Sequence, residues 1–265
     1  MDKKITMQDV ADAAGVSKST VSFILNHRED QRISEDTKQK VWQVINMLNF
    51  KPNTYAKFLR GAQPDKLVAA YCPQDLTDLG RIVFLDFYRR LSEAFSAQSV
   101  RVFHLCSPAR LDTVEAIVTY GISKEEFSQL GGLNFVPVVS VNCTIGDALF
   151  FEISNDYAAL ARDATAHFGA PFLFVSQPPR DEYLRAAIES SFSDVRFISN
   201  LCELTAFKGQ YVVTDEPSLA ALLNETAGAN AYCPARADRP KIQKIVECVR
   251  LATDREPHPE HRFFV

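Results

Sequence analysis

The chain has 265 residues, 46% of them apolar and 23% charged, with a formal net charge of −4. That length exceeds one small domain, and that composition excludes a disordered or low-complexity polypeptide, because enough apolar surface is present to offset the entropy of ordering. No apolar run approaches the roughly 20 residues that span a bilayer, and the opening Met-Asp-Lys-Lys-Ile-Thr-Met-Gln-Asp lacks the apolar middle of a secretory signal, so a cytoplasmic protein without a membrane partner is expected.

The small net charge conceals an uneven distribution. Through Gly61 the sequence holds ten Lys/Arg against seven Asp/Glu, a net of +3, whereas the remainder holds 19 against 26, a net of −7. A basic head on an acidic body points to an anionic partner at one end only. The six cysteines, Cys72, Cys106, Cys143, Cys202, Cys233 and Cys248, are scattered without a Cys-x-x-Cys pair or a histidine at ligand spacing. In a reducing compartment they read as buried thiols, with no metal expected.

Three short helical patterns open the chain. Thr6 followed by Asp9 is a capping box, after which Val10, Ala11 and Ala14 share one face and Gly15 ends the helix. Ser17 caps a second helix over 18–26, with Val21, Ile24 and Leu25 as its apolar stripe. Ser34 caps a third, with Glu35 and Asp36 at its positive end and Val41, Val44, Ile45 and Leu48 facing inward. The spacing of Ala11, Gly15 and Val21 is that of a helix-turn-helix: a small residue for close approach, a glycine for the turn, a valine to fill the gap. Lys18, Ser19, Ser22 and Asn26 then form a polar face free to enter a major groove, although any small helical bundle offers the same triple.

From Thr6 to Asn26 (T-M-Q-D-V-A-D-A-A-G-V-S-K-S-T-V-S-F-I-L-N), Ile33 to Thr37 (I-S-E-D-T) and Leu48 to Gly61 (L-N-F-K-P-N-T-Y-A-K-F-L-R-G), the sequence closely resembles the DNA-binding head of the lactose-repressor family. The long loop from His27 to Arg32 is most similar to the fructose and sucrose repressor branch. The resemblance implies that Lys18 and Ser19 read base edges and that Ser17, Thr20 and Ser22 touch phosphates. Thr6, Asn26, Arg32, Thr37, Asn53 and Tyr55 complete the positions it assigns to DNA. Phe23 departs from relatives with arginine here; it can touch a thymine methyl or sugar, or lie partly buried under the following loop. Pro52 breaks the third helix, and the segment to Gly61 resembles the family's hinge helix, with Leu59 as the minor-groove wedge and Ala56 where paired hinges meet. The plain alternative is a linker with Leu59 tucked against the body.

Beyond Asp65 short apolar runs alternate with amphipathic stretches. Strands are expected at 66–72, 100–106, 116–120, 137–141, 171–176, 195–198 and 210–214. Helices are expected at 82–97, from Asn155 or Asp156 to His167, at 181–192 and at 216–226. The order resembles the family's effector-binding core, two α/β subdomains similar to periplasmic sugar-binding proteins. The expected architecture is therefore multidomain: an all-α helix-turn-helix head at 1–51, a hinge and linker at 52–65, and a shortened α/β core of two parallel-sheet subdomains at 66–265, divided as 66–155 and 156–265. The resemblance places Asp75, Asn142, Arg185 and Asp215 in an effector cleft, where strand ends of open α/β sheets bind ligands. Each has a plain alternative: a turn, a strand-end cap, a solvated helix face and a helix N-cap. The core departs from the family in two places. Between Cys106 and Pro137 there is room for one crossover where relatives have two, and after Thr226 the expected strand gives way to A-G-A-N-A-Y-C-P-A-R-A.

The resemblance implies a homodimeric, sequence-specific regulator that binds palindromic double-stranded operator DNA and represses carbohydrate-utilisation genes, tuned by a sugar or sugar phosphate. The alternatives are the same regulator with a core that no longer senses a sugar, and a sugar-binding protein without a regulatory role. No nucleophile with a partnered base, metal cluster or glycine-rich phosphate loop points to an enzyme or a cofactor. His104 and His167 lie in or beside apolar elements and read as core or helix-end residues.

Overall fold

The computed structural model describes residues 5–25, 33–48, 50, 66–111, 113–255 and 258–265. Asn26, Arg32, Asn53, Tyr55, Ala56 and Leu59, assigned to DNA above, lie outside the described residues, as does the whole hinge. The chain divides into two compact units, Met1–Pro64 and Asp65–Val265.

In the head, α1 (Met7–Ala14) starts where Thr6 and Asp9 satisfy each other: the Asp9 amide donates to Thr6 Oγ1 at 3.3 Å and the Thr6 amide to Asp9 Oδ2 at 2.7 Å. It stops at Gly15, whose φ of 66° is a left-handed conformation that glycine adopts without Cβ strain. Helix α2 (Lys18–Leu25) begins as the Thr20 amide donates to Ser17 Oγ at 3.0 Å, and α3 (Glu35–Met47) as the Thr37 amide donates to Ser34 Oγ at 3.3 Å. The three helices close over Val10, Ala11, Ala14, Val21, Ile24, Val41 and Ile45, and Phe50 folds back onto them through its amide to Ile45 O.

The body is built on two parallel sheets. The first runs β10-β5-β4-β3-β1-β2, from β1 (Lys66–Tyr71), β2 (Val100–Leu105), β3 (Ala116–Tyr120), β4 (Val138–Val141), β5 (Phe151–Ser154) and β10 (Arg262–Phe264). One face packs on α4 (Asp78–Ser96) through Phe84, Phe87, Leu91 and Phe95, and on α9 (Arg239–Asp254) through Ile242, Ile245 and Val249. The other face is covered by α5 (Lys124–Leu133) through Phe127 and Leu130. The 106–115 connection carries no described helix, so Phe103 and Leu105 of edge strand β2 stay half-buried on that face.

The second sheet runs β7-β6-β8-β9, from β6 (Leu173–Ser176), β7 (Val195–Phe197), β8 (Tyr211–Val213) and β9 (Asn230–Tyr232). Helices α6 (Tyr157–Phe168) and α7 (Glu182–Ser191) cover one face with Leu160, Ala164, Leu184 and Ile188. A 3-10 helix (Leu201–Phe207), α8 (Pro217–Leu222) and a π turn (Leu223–Ala227) cover the other, joined there by Leu79 and Val83 from the first turns of α4. Helix α4 therefore serves both hydrophobic cores. Each fully buried aliphatic or aromatic side chain contributes about 1.5–3 kcal/mol relative to exposure.

Four expectations are corrected. The subdomains are not contiguous at 155/156, because α9 and β10 return to the first sheet, where β10 pairs with β5. The segment after Thr226 does form a strand: Asn224 donates to and accepts from Ala231, protecting the edge of β9. The helix expected at 216–226 loosens after Leu222 into the π turn. Helix α4 begins at Asp78 rather than Ile82, because Thr77 Oγ1 accepts from the Gly80 amide at 3.1 Å.

Candidate nucleic-acid interface and core cleft

Val21 and Ile24 bury one side of α2, and this orients the other side outward. Ser17, Lys18 and Ser19 are exposed, while Thr20, Ser22 and Phe23 are half-buried. Ser19, Ser22 and Phe23 are spaced three and four residues apart and so share one helix face. The Ser17 and Thr20 hydroxyls bond each other at 2.8 Å, as do those of Ser34 and Thr37, and Thr6 Oγ1 bonds Asp9, so four of the assigned polar side chains, Thr6, Ser17, Thr20 and Thr37, also take part in holding helix starts. The head offers a short helix with a polar, cationic start on a rigid apolar support, the arrangement that major-groove readers use.

In the body, a cavity of about 90 Å³ opens between the strand ends of the two sheets, with room for several waters or a small polar ligand. Asn142 and Asp215 both line it. Asn142 follows β4 with φ of 57° and is buried, and among the described residues its Oδ1 has no hydrogen-bond partner. Asp215 is also buried but fully engaged: Oδ2 accepts from Asn155 Nδ2 and the Tyr157 hydroxyl, each at 3.0 Å, and Oδ1 from Ser176 Oγ at 2.9 Å. The carboxylate thus ties the start of α6 to the ends of β6 and β8.

Asp75 and Arg185 are placed elsewhere. Asp75 sits at the rim, paired with Arg180, which also reaches Glu126 Oε1 at 3.3 Å. Arg185 does not line the cavity, because its position on α7 sets the guanidinium 4.7 Å over the Phe197 ring and within 3.8 Å of Glu189. The arginine on the cavity wall is Arg180, five positions earlier, in the Gln-Pro-Pro-Arg loop after β6.

Behind Asp215 lies a charged cluster absent from the sequence reading. Arg90 of α4 meets Asp86 at 3.0 Å, Glu216 at 3.7 Å and Asp238 at 2.8 Å, joining α4 to the residue before α8 and the start of α9. Glu216 also accepts from the Tyr120 hydroxyl, and buried Lys241 adds a second cation beside Glu216 and Asp215. Burial pushes the Glu216 carboxyl up to about 7 against the pull of Lys241, and the neighbouring Asp215 charge pushes the same way. Tyr120 and Tyr157 are driven well above their ordinary value by burial, with Glu216 and Asp215 respectively adding to the effect. The only local signal for this cluster is the Asp86–Arg90 spacing of one helical turn.

Residues 6–53 match the model of "Bacterial regulatory proteins, lacI family". The chain is 42% identical over 69 residues to the HTH-type transcriptional regulator TreR of Salmonella typhimurium, an alignment that covers 26% of this chain and 21% of that protein. It is 40% identical over 103 residues to the maltose regulon regulatory protein MalI of Escherichia coli, covering 39% and 28%. It is 36% identical over 162 residues to the sucrose operon repressor of Klebsiella pneumoniae, covering 61% and 44%. The chain thus spans less than half the length of these three relatives. Among solved structures, the lac repressor dimer bound to operator and the anti-inducer ONPF matches with a TM-score of 0.48 and 14% identity over 99% of this chain and 96% of that one. The match to the lacI family model is confined to residues 6–53, the stretch that forms the three-helix head.

Proposed function

We propose that the protein is a sequence-specific transcription regulator that binds near-palindromic operator DNA as a homodimer in the cytoplasm and represses carbohydrate-utilisation genes. The observation that carries this reading is α2, whose buried Val21 turns Lys18 and Ser19 outward on a family-matched head. Similarity to a sucrose operon repressor and a maltose regulon regulator supports the carbohydrate context. A dimer follows from surface: one small head buries too little for tight specific binding, and two heads in successive major grooves read a half-site repeat of about 34–36 Å. Residues Ser17, Lys18, Ser19, Thr20, Ser22 and Phe23 face DNA, with Thr6 and Thr37 beside them; of the hinge residues, Leu59 is the minor-groove wedge, Ala56 the meeting point of paired hinges, and Asn53 and Tyr55 further DNA contacts.

Selection of duplexes from a random pool, followed by fluorescence anisotropy at several salt concentrations, tests this. A palindromic preference is expected, with Lys18→Ala weakening the selected site by about 1–3 kcal/mol. Equal affinity of Lys18→Ala for selected and scrambled duplexes at wild-type strength would sink the reading.

In the core, the effector is a sugar or sugar phosphate, held by Asn142 Oδ1 with Arg180 at the wall and Asp75 at the rim. A second reading, a core that has lost sensing, is favoured by the saturation of Asp215 and by the apolar engagement of Leu79 and Val83 with the second sheet, which holds the two sheets together. A thermal-shift screen of sugars and sugar phosphates separates the two, since a bound ligand raises stability by mass action and a non-sensing core shifts with none.

A further inference from the structure

Two of the cysteines end neighbouring strands. The parallel pairing of β1 with β2 runs in register to Tyr71↔Leu105, and the Cys72 amide continues it by donating to Leu105 O at 3.2 Å. Cys72 and Cys106 are therefore the next register pair. Adjacent strands lie about 4.8 Å apart and register partners project from the same face, so the Cα atoms fall within the roughly 4.4–6.8 Å that a disulfide bridges. His104, one pair earlier on that face, brings Nε2 to 3.3 Å from Cys72 Sγ. Cys106 is exposed and accepts from Gln74 Nε2 at 3.7 Å, whereas Cys72 is buried. Among the described residues no trio of ligating side chains has metal-holding geometry, so the grouping favours thiol chemistry.

We propose that Cys72 and Cys106 are an oxidisable dithiol that closes to a disulfide on exposure to a peroxide, with His104 as the proton acceptor. The exposed Cys106 thiol gives its proton to solvent and the resulting thiolate attacks one peroxide oxygen, breaking the O–O bond. Cys106 is oxidised to a sulfenic acid while the peroxide is reduced, and the hydroxide that leaves hydrogen peroxide takes up that proton as water. Cys72 then passes its proton to His104 Nε2 and its sulfur attacks Cys106 Sγ. The S–O bond breaks, the departing hydroxide takes the proton from the imidazolium as a second water, and the S–S bond forms. A dithiol reductant reverses the change by exchange.

The division of labour follows from surroundings. Burial pushes the Cys72 thiol up to about 12, which makes it a poor first nucleophile and leaves the exposed Cys106 to meet the peroxide; the strand register then places Cys72 beside the sulfenic acid. Burial lowers the His104 imidazole, keeping it neutral and able to accept a proton. The turn after Cys72 leads through Asp75, paired with Arg180, to Leu76 on the cavity wall, so a bond between the strand ends constrains the cleft rim.

The test treats the full chain with stoichiometric hydrogen peroxide, blocks free thiols and maps the digested peptides. A linked peptide joining Cys72 to Cys106, lighter by two hydrogens, is the expected product, with loss of two of the six thiols. Cys106→Ser abolishes the loss. Cys72→Ser traps a sulfenic acid at Cys106 that reacts with dimedone. His104→Phe leaves sulfenic acid formation at its normal rate but slows closure by about tenfold or more, and added imidazole restores it. Retention of all six thiols, linkage of other cysteines, or passage of Cys106 to sulfinic acid while Cys72 remains alkylatable overturns the proposal. The wild-type peptide map decides even where a core variant fails to fold.

Discussion

The head and the body hold their polar groups by opposite means. In the head, Thr6, Ser17 and Ser34 each bond an amide three residues on, so every helix start is closed by its own neighbours. In the body, Arg90 meets Glu216 and Asp238, and Asp215 meets Asn155 and Ser176, partners brought together only when both sheets have formed. The head therefore tolerates loss of one polar contact at small cost, whereas the body gathers several charges into a largely buried junction around Arg90. Removing one member there leaves others desolvated and unpaired.

The largest expected effect tests that junction. Arg90→Ala leaves Glu216, Asp86 and Asp238 without their shared cation, and chemical denaturation of the core should show a loss of about 3–5 kcal/mol with the head transition unchanged. A loss below about 1 kcal/mol would mean that the junction is no more cooperative than a surface pair.

Next comes the pH dependence carried by Glu216. Its folded value lies above its unfolded one, so its favourable contribution is fully present below about 4.5 and fades as pH rises through about 7. Glu216→Gln should flatten the fall in Tm between those limits, an effect on the order of 3 kcal/mol at saturation. An identical pH profile in the variant would place the charge elsewhere in the cluster.

In the head, Val21→Ala removes buried methyl groups between α1 and α2 and should cost about 2 kcal/mol, enough to unfold a small three-helix unit while the core still melts normally. Smallest is Thr6→Ala, which deletes the capping box of α1 and should lower head stability by about 1 kcal/mol by circular dichroism. A Thr6→Ala loss as large as that of Arg90→Ala would erase the contrast between the two regions.

The same contrast explains what could be read in advance. The three head helices, their caps, the Gly15 turn and the inward row of Val10, Ala11, Ala14 and Val21 were legible because each depends on residues within one or two helical turns. Most core strands were legible too, as apolar runs of β length. Asn142 and Asp215 reach the cavity, as expected of residues at strand ends. Arg185 and Arg180 were not distinguishable by spacing, since both lie near the start of α7, and only the path of the loop after β6 directs one to the cavity and the other over Phe197. Nothing near Arg90 or Lys241 in the sequence foretells that both are drawn into the junction behind Asp215.

The sequence by itself therefore determined the three helices of the head and most strands of the core, since helical hydrogen bonds and caps close over three or four residues and buried strands leave apolar runs. Tertiary structure decided the return of α9 and β10 to the first sheet, the engagement of α4 with two cores, the Arg90 junction and the meeting of Cys72, His104 and Cys106. These depend on which strands lie side by side, and parallel strands are paired by crossovers whose path no local pattern encodes.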